Sequence, residues 1–389
     1  LSAATFEYLG KEAIKLQQQN APPHVTVLQN SADVIEAKFW GKSIVIEING
    51  QDVIKKILDG ERDFTGIYVK ENFNLHASQA FSQVQRYLLQ QRLWEEPLIF
   101  SGATIRNFGA RGIYLPFLQA DFSDFKNADF AEANLCNASF KNSNLWESNF
   151  QKANLRFTNL TNANLWKGNL ATAVFGYGNL NGANLKQANL QGADFENCSM
   201  ENANISEANL QRANFRYANL NNANLSDSNL LQTNFWNAFL KNASLQNVNL
   251  RGSNFQFAVL ENAALENATI QKSNFRNASL ENANVKNCKL DFVIFFNSNL
   301  RRVNLENASL EGANLINANL FGSNLQNANL RFAKVRNANF ERANLVGVQN
   351  IEHSLNLAFA NFKDTIVTTH EMEIIKSFLS QKTIFVVKS

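Results

Sequence analysis

The sequence predicts a mainly β fold: a β-helix of short stacked coils, with a small α+β domain before it and a helix–strand cap after it. Three observations predict it. A large apolar residue returns at every fifth position from Phe130 to Leu345, 44 pentads in one frame. A small residue, most often Ala, lies two positions before it, and a polar residue, most often Asn, stands between them. Phenylalanine fills the large slot every twenty residues, at Phe175, Phe195, Phe215, Phe235, Phe255, Phe275 and Phe295.

Strand geometry turns this pattern into a shape. In an extended backbone, residues i−2 and i point to one side and i−1 to the other. The small and large residues, such as Ala183 and Leu185, therefore face a common interior, and Asn184 faces out. The next two residues are mostly polar or Gly and suit a corner. A five-residue segment cannot bury its apolar face alone, so segments must stack. The twenty-residue return of Phe predicts a coil of four pentads, with the seven phenylalanines above one another as an internal stack. At about 4.8 Å per coil, eleven coils make a rod about 53 Å long.

The units Ala-Asn-Leu-x-x and Ala-Asp-Phe-x-x resemble the pentapeptide-repeat family over about residues 101–362. The resemblance implies a right-handed, four-sided β-helix with a dry core. The frame reaches back to Ile105 and fades after Leu345, where Asn350 breaks the slot.

An open β-helix exposes unpaired backbone groups, and both ends here carry sequence outside the repeat. Residues 1–100 read as the α+β domain. Helices are expected over 6–19, 52–58 and 78–93, strands over 25–28, 34–39 and 43–48, and turns at Ala21-Pro22-Pro23 and Asn49-Gly50. Glu95-Glu96-Pro97 marks the boundary, because a residue before proline resists helix. In the cap, residues 363–389, Thr368-Thr369-His370-Glu371 has the pattern of a capping box. A helix should follow with Met372, Ile375, Phe378 and Leu379 on one side, and Thr383-Ile384-Phe385-Val386-Val387 reads as a strand. Helix and strand together are expected to plug the last coil.

Chemistry is sparse. The four histidines are His24, His76, His353 and His370, all outside 130–345. Cys136, Cys198 and Cys288 share no metal-ligand spacing and cannot all pair, which fits a reducing compartment. Cys198 and Cys288 fill the small inward slot; Cys136 falls at a corner and should be exposed. Gly176-Tyr177-Gly178 lacks the spacing of a dinucleotide fingerprint, and the repeat frame explains it. No enzyme, cofactor or metal is expected. No apolar run reaches membrane-spanning length and no signal peptide is legible, so the cytoplasm is the default, with a secreted effector left open.

Function then falls to the faces or to the N-terminal domain. Asn at 142, 162, 202, 222, 242, 262 and 282 forms one corner column, best explained as a hydrogen-bonded ladder. Phe157, Tyr177, Tyr217 and Phe257 share another column, interrupted by Asn197 and Asn237. Trp236 and Phe296 stand in the adjacent column with Arg156, Arg216 and Arg276, and Trp146 and Trp166 fall on a further face. Tyr, Trp and Arg together mark the centres of protein-binding patches. The competing reading has these side chains lying across the outer strands as a shield.

Three functions follow. The first is a non-catalytic scaffold presenting rigid faces to an unknown partner protein. The second comes from the resemblance, since some family members modulate a type II DNA topoisomerase by imitating duplex DNA. Such a mimic needs a strongly negative rod. Residues 126–345 hold 20 basic and 15 acidic residues, and no loop interrupts the frame, so mimicry is disfavoured. The third, direct binding of nucleic acid, has only that small surplus in its favour within a chain of net charge +3.

Overall fold

The computed structural model describes residues 25–29, 35–39, 42–43 and 46–386, with side chains over 46–379. The chain divides into two compact units, Leu1–Asn164 and Leu165–Ser389. The helix expected over 6–19 and the turn at Ala21-Pro22-Pro23 lie outside the described residues.

In unit 1, strands β1 (Val25–Gln29), β2 (Ile35–Phe39) and β3 (Lys42–Ser43) form an antiparallel sheet in that order. Strand β4 (Ile46–Ile48) runs parallel to β5 (Ile67–Val69). The single strand expected over 43–48 is thus two strands in different sheets. Helix α1 (Gly50–Leu58) joins β4 to β5. Asn49 caps it by accepting the Asp52 amide hydrogen at 2.8 Å, and Val53, Ile54 and Ile57 are buried.

Coil pairing begins earlier than the boundary expected at Pro97. Asp63, Tyr68 and Asn74 already pair in parallel with Ile99, Thr104 and Gly109. Helix α2 (Phe81–Leu89), which buries Val84 and Leu88, is inserted within this first coil. From Ile99 to Asn144 in unit 1, and from Asn169 to Asn329 in unit 2, the parallel partner is twenty residues ahead at every fifth residue.

Tracing the pentad that starts at Phe215 shows why the sequence repeats as it does. Phe215 and Tyr217 donate their backbone N–H groups to Asn234 and Trp236 of the next coil, and Asn219 donates to Cys198 of the preceding one. Ala218 donates to Phe215 and closes a turn. The fifth N–H, from Arg216, goes to the side-chain oxygen of Asn214 at 3.3 Å. Asn in the outward slot therefore satisfies the one backbone donor that stacking leaves open. Its amide adds a rung to the preceding coil, as from Asn214 to Asp194 at 2.8 Å.

The interior of unit 2 is apolar and filled. Phe175, Phe195, Phe215, Phe235, Phe255, Phe275 and Phe295 are fully buried, with successive ring centroids 4.5 to 5.2 Å apart. Where Ser or Thr replaces Ala in the small slot, its hydroxyl finds a carbonyl. Ser253 donates to Leu230 at 2.8 Å and Thr233 to Leu210 at 3.0 Å.

Each corner places its second residue in the left-handed backbone region, as at Asn247 (φ 59°) and Phe257 (φ 61°). Asn and Gly tolerate this region best. At Gly312 (φ 65°) the missing Cβ serves a second purpose, because the Phe292 ring would lie 2.7 Å from it.

The C-terminal cap differs from expectation. After the irregular turns Ile351–His353 and Leu357–Phe359, one helix, α3, runs Thr369–Val386. The segment read as a strand from Thr383 is helical through Val386. Its β-branched and aromatic residues favour strand only weakly, and continuity with a formed helix overrides them. Within α3, Ile375 is buried and Phe378 half-buried, while Met372 and Leu379 are exposed. The carboxylate half of the capping box forms: Thr368 donates its backbone N–H to Glu371 at 2.6 Å and its hydroxyl to the same carboxylate. Glu371 also accepts the Gly347 N–H at 3.0 Å, tying the helix to the last regular coil.

Candidate functional site

Of the two corners of unit 2 that depart from the asparagine ladder, one, from Thr172 to Phe332, holds no asparagine in its left-handed column, and the other alternates aromatic residues with asparagine. This second column reads Tyr177, Asn197, Tyr217, Asn237, Phe257, Asn277 and Asn297. Tyr177, Tyr217 and Phe257 are 57%, 37% and 46% exposed. Arg156 and Phe157, in unit 1, are also exposed. A large residue in this conformation strains against its own Cβ, so folding alone does not select Tyr or Phe there.

The neighbouring column supplies Arg216, Trp236, Arg276 and Phe296. Tyr217 meets Trp236 edge-on at 4.8 Å, and Trp236 meets Phe257 edge-on at 6.1 Å. The Arg216 guanidinium lies 5.1 Å from the Trp236 ring and 5.8 Å from Tyr217. Its Nε is buried with no hydrogen-bond partner among the described residues, so placing the group against the rings carries a desolvation cost. Arg276 lies over Phe296 at 4.7 Å. The structure thus joins Arg216, Tyr217, Trp236 and Phe257 into one cluster, with Arg276 and Phe296 as a second pair further along.

Sequence reasoning missed Phe239. It occupies an outward slot normally held by Asn, is 44% exposed, and pairs in the ladder with Val259, also apolar. The signal was available, since apolar residues in that slot break the repeat. The fifth donor that Asn would have satisfied, the Lys241 N–H, is taken by Asn221 at 2.9 Å.

Other features are inert by the same standard. Burial pushes the Cys198 and Cys288 thiols up to about 12. Their sulfurs donate to the carbonyls of Phe175 and Leu265. Cys136 is half-buried rather than exposed, and burial raises its thiol too. Among the described residues, no group of His, Cys, Asp and Glu has the geometry of a metal site. None of the described helices is long and apolar enough to cross a membrane. A cleft of about 730 Å³ lies in unit 1 beside α1, between Lys55, Asp59, Phe64 and Lys70, with mixed charges around it.

A stack of twenty-residue coils built from five-residue units, with alternating small and large residues inside, defines a repeat β-helix. Pentapeptide-repeat family models match eight copies between residues 119 and 350, and a pentapeptide-repeat region model matches 207–275. Together they span more than half of the chain, which belongs to the pentapeptide-repeat family. No curated protein sequence matches it significantly. Among solved structures, it resembles QnrB1, a plasmid-mediated fluoroquinolone resistance protein, at 17% identity over 50% of this chain and 91% of that one, with a TM-score of 0.34. HetL, a protein involved in heterocyst differentiation regulation in the cyanobacterium Nostoc, aligns at 19% identity over 82% and 94%, TM-score 0.16. Rfr23 from the cyanobacterium Cyanothece aligns at 31% identity over 27% and 60%, TM-score 0.14.

Proposed function

We propose that this protein is a non-catalytic scaffold whose right-handed, four-sided β-helix, over 101–362, presents the aromatic corner to a partner protein. The segment 363–389 serves as the C-terminal cover, and the N-terminal domain adds targeting or a second contact. The observation that carries this reading is the cluster of Arg216, Tyr217, Trp236 and Phe257. The exposed Tyr217 and Phe257 rings meet the half-buried Trp236, a partly desolvated arginine lies against them, and Tyr217 and Phe257 occupy backbone positions that suit Asn better. Large rigid side chains that lose little freedom on binding are what interface centres use. Phe239 and Val259 extend the apolar area beside them. Tyr177 in unit 2, and separately Phe157 with Arg156 in unit 1, are further candidate contacts in this reading.

The test is affinity capture with mass spectrometry, comparing wild type with a Phe157→Asn/Tyr177→Asn/Tyr217→Asn/Phe257→Asn variant shown by circular dichroism to be folded. A partner lost only from the variant supports the reading. A partner kept by both returns these rings to shielding the outer strands.

A further inference from the structure

Charge is sorted along one face of unit 2, and the sorting identifies a second contact for the proposed partner. Ser279, Asn299, Asn319, Asn339 and Asn361 run down the middle of this face, each bridged to the next. Its two borders, followed from Arg276 to Asp364, carry Arg276, Arg301, Arg302, Arg336, Arg342 and Lys363 against Glu281, Glu341 and Asp364. In the preceding coils, the same borders carry Glu196, Glu201 and Glu261 against Arg216 and Lys241. The face therefore changes from nearly balanced charge beside the aromatic cluster to basic at its C-terminal end.

The basic end is not neutralised internally. Glu281 lies 3.7 Å from Arg301 and 3.8 Å from Arg302, and Glu341 lies 3.9 Å from Lys363. Arg276, Arg336 and Arg342 have no carboxylate within 4.0 Å among the described residues. Each lies over a ring instead: Arg276 over Phe296 at 4.7 Å, Arg336 over Phe359 at 5.6 Å, and Arg342 over Phe321 at 5.6 Å. A guanidinium resting on a ring is held in place with its donors facing outward.

We infer that this basic end of the face binds a carboxylate-rich segment of a partner protein. The inference rests on the scaffold reading for taking the partner to be a protein, and it adds the chemistry of the contact. The rings argue against single-stranded nucleic acid. A stacking platform needs open aromatic faces, and here Phe296, Phe321 and Phe359 lie beneath guanidinium groups, Phe321 beneath that of Arg301 at 5.0 Å as well. Carboxylates suit the exposed forks.

Fluorescence anisotropy of labelled poly-L-glutamate with the full chain tests this, with an oligothymidylate of matched charge as comparison. The expected result is salt-sensitive binding of the polypeptide, tighter than of the oligonucleotide. It should weaken about tenfold in Arg336→Gln/Arg342→Gln and persist in Arg251→Gln/Lys272→Gln, an equal charge change at another corner. No binding at low salt, equal weakening by both double variants, or tighter binding of the oligonucleotide overturns the inference. If aromatic-dependent capture of a partner survives such a result, the scaffold reading stands without it.

Discussion

Two corners of unit 2 share a backbone and differ in what they carry. At one, Asp227, Asn247, Asn267, Asn287, Asn307 and Asn327 form an unbroken ladder, each amide donating to the residue one coil before at 3.0 to 3.2 Å. At the other, Tyr177, Tyr217 and Phe257 alternate with asparagine, and the ladder resumes only where Asn297 donates to Asn277 at 2.8 Å. The left-handed angles are nearly the same, 62° at Asn267 and 61° at Phe257. The fold accepts either side chain, and Asn267 returns hydrogen bonds to it that the Phe257 ring cannot make. At Phe257 the aromatic corner thus forgoes a rung of the ladder, as the proposed binding role would require.

The comparison can be broken from the inside first. Phe235 lies beneath the aromatic corner, stacked at 5.1 and 4.6 Å on its neighbours. Phe235→Ala should cost about 3–5 kcal/mol in urea denaturation, far more than any change at either corner. Next comes the ladder itself. Asn267→Ala removes rungs to Asn247 and from Asn287 and leaves Ala in the left-handed region. A loss of about 1–2 kcal/mol is expected from the same measurement. At the aromatic corner the sign should reverse. Phe257→Asn would stand between Asn237 and Asn277 and complete a ladder there, so stability should rise by about 0.5–1 kcal/mol while partner capture falls.

The smallest effect lies at the C-terminal end, away from the aromatic corner, and serves as a control. Burial opposes ionisation of Glu371, but hydrogen bonds from Thr368 and Gly347 outweigh it and hold its carboxyl below the usual range. A carboxyl depressed on folding stabilises above its unfolded pKa, and that contribution disappears as pH falls through the folded value. Acid titration of stability should show this loss in wild type and in Phe257→Asn alike, and a shallower slope in Glu371→Gln.

Much of this was legible because the repeat makes every position comparable with a dozen others. The inward slots, the twenty-residue coil and the Phe175–Phe295 series needed only a frame and the alternation of a strand. The role of Asn214 and its equivalents was only half legible: periodicity shows that the slot faces out, whereas its bond to the Arg216 amide requires the turn geometry. The early coil through Asp63, Tyr68 and Asn74 was hidden because α2 stretches its spacing beyond twenty residues. Residues 383–386 misled because local β-propensity does not register that a helix already runs into them. Phe239 was less legible because an apolar residue in an outward slot leaves the period of the repeat unchanged.

The most direct test uses the two corners as each other's control. A photo-crosslinking amino acid would replace Tyr217 in one preparation and Asn267 in another, each exposed to extract from the source organism. The account predicts a discrete partner adduct from position 217 and none from 267. Adducts from 267 alone, or the same adducts from both, would contradict it.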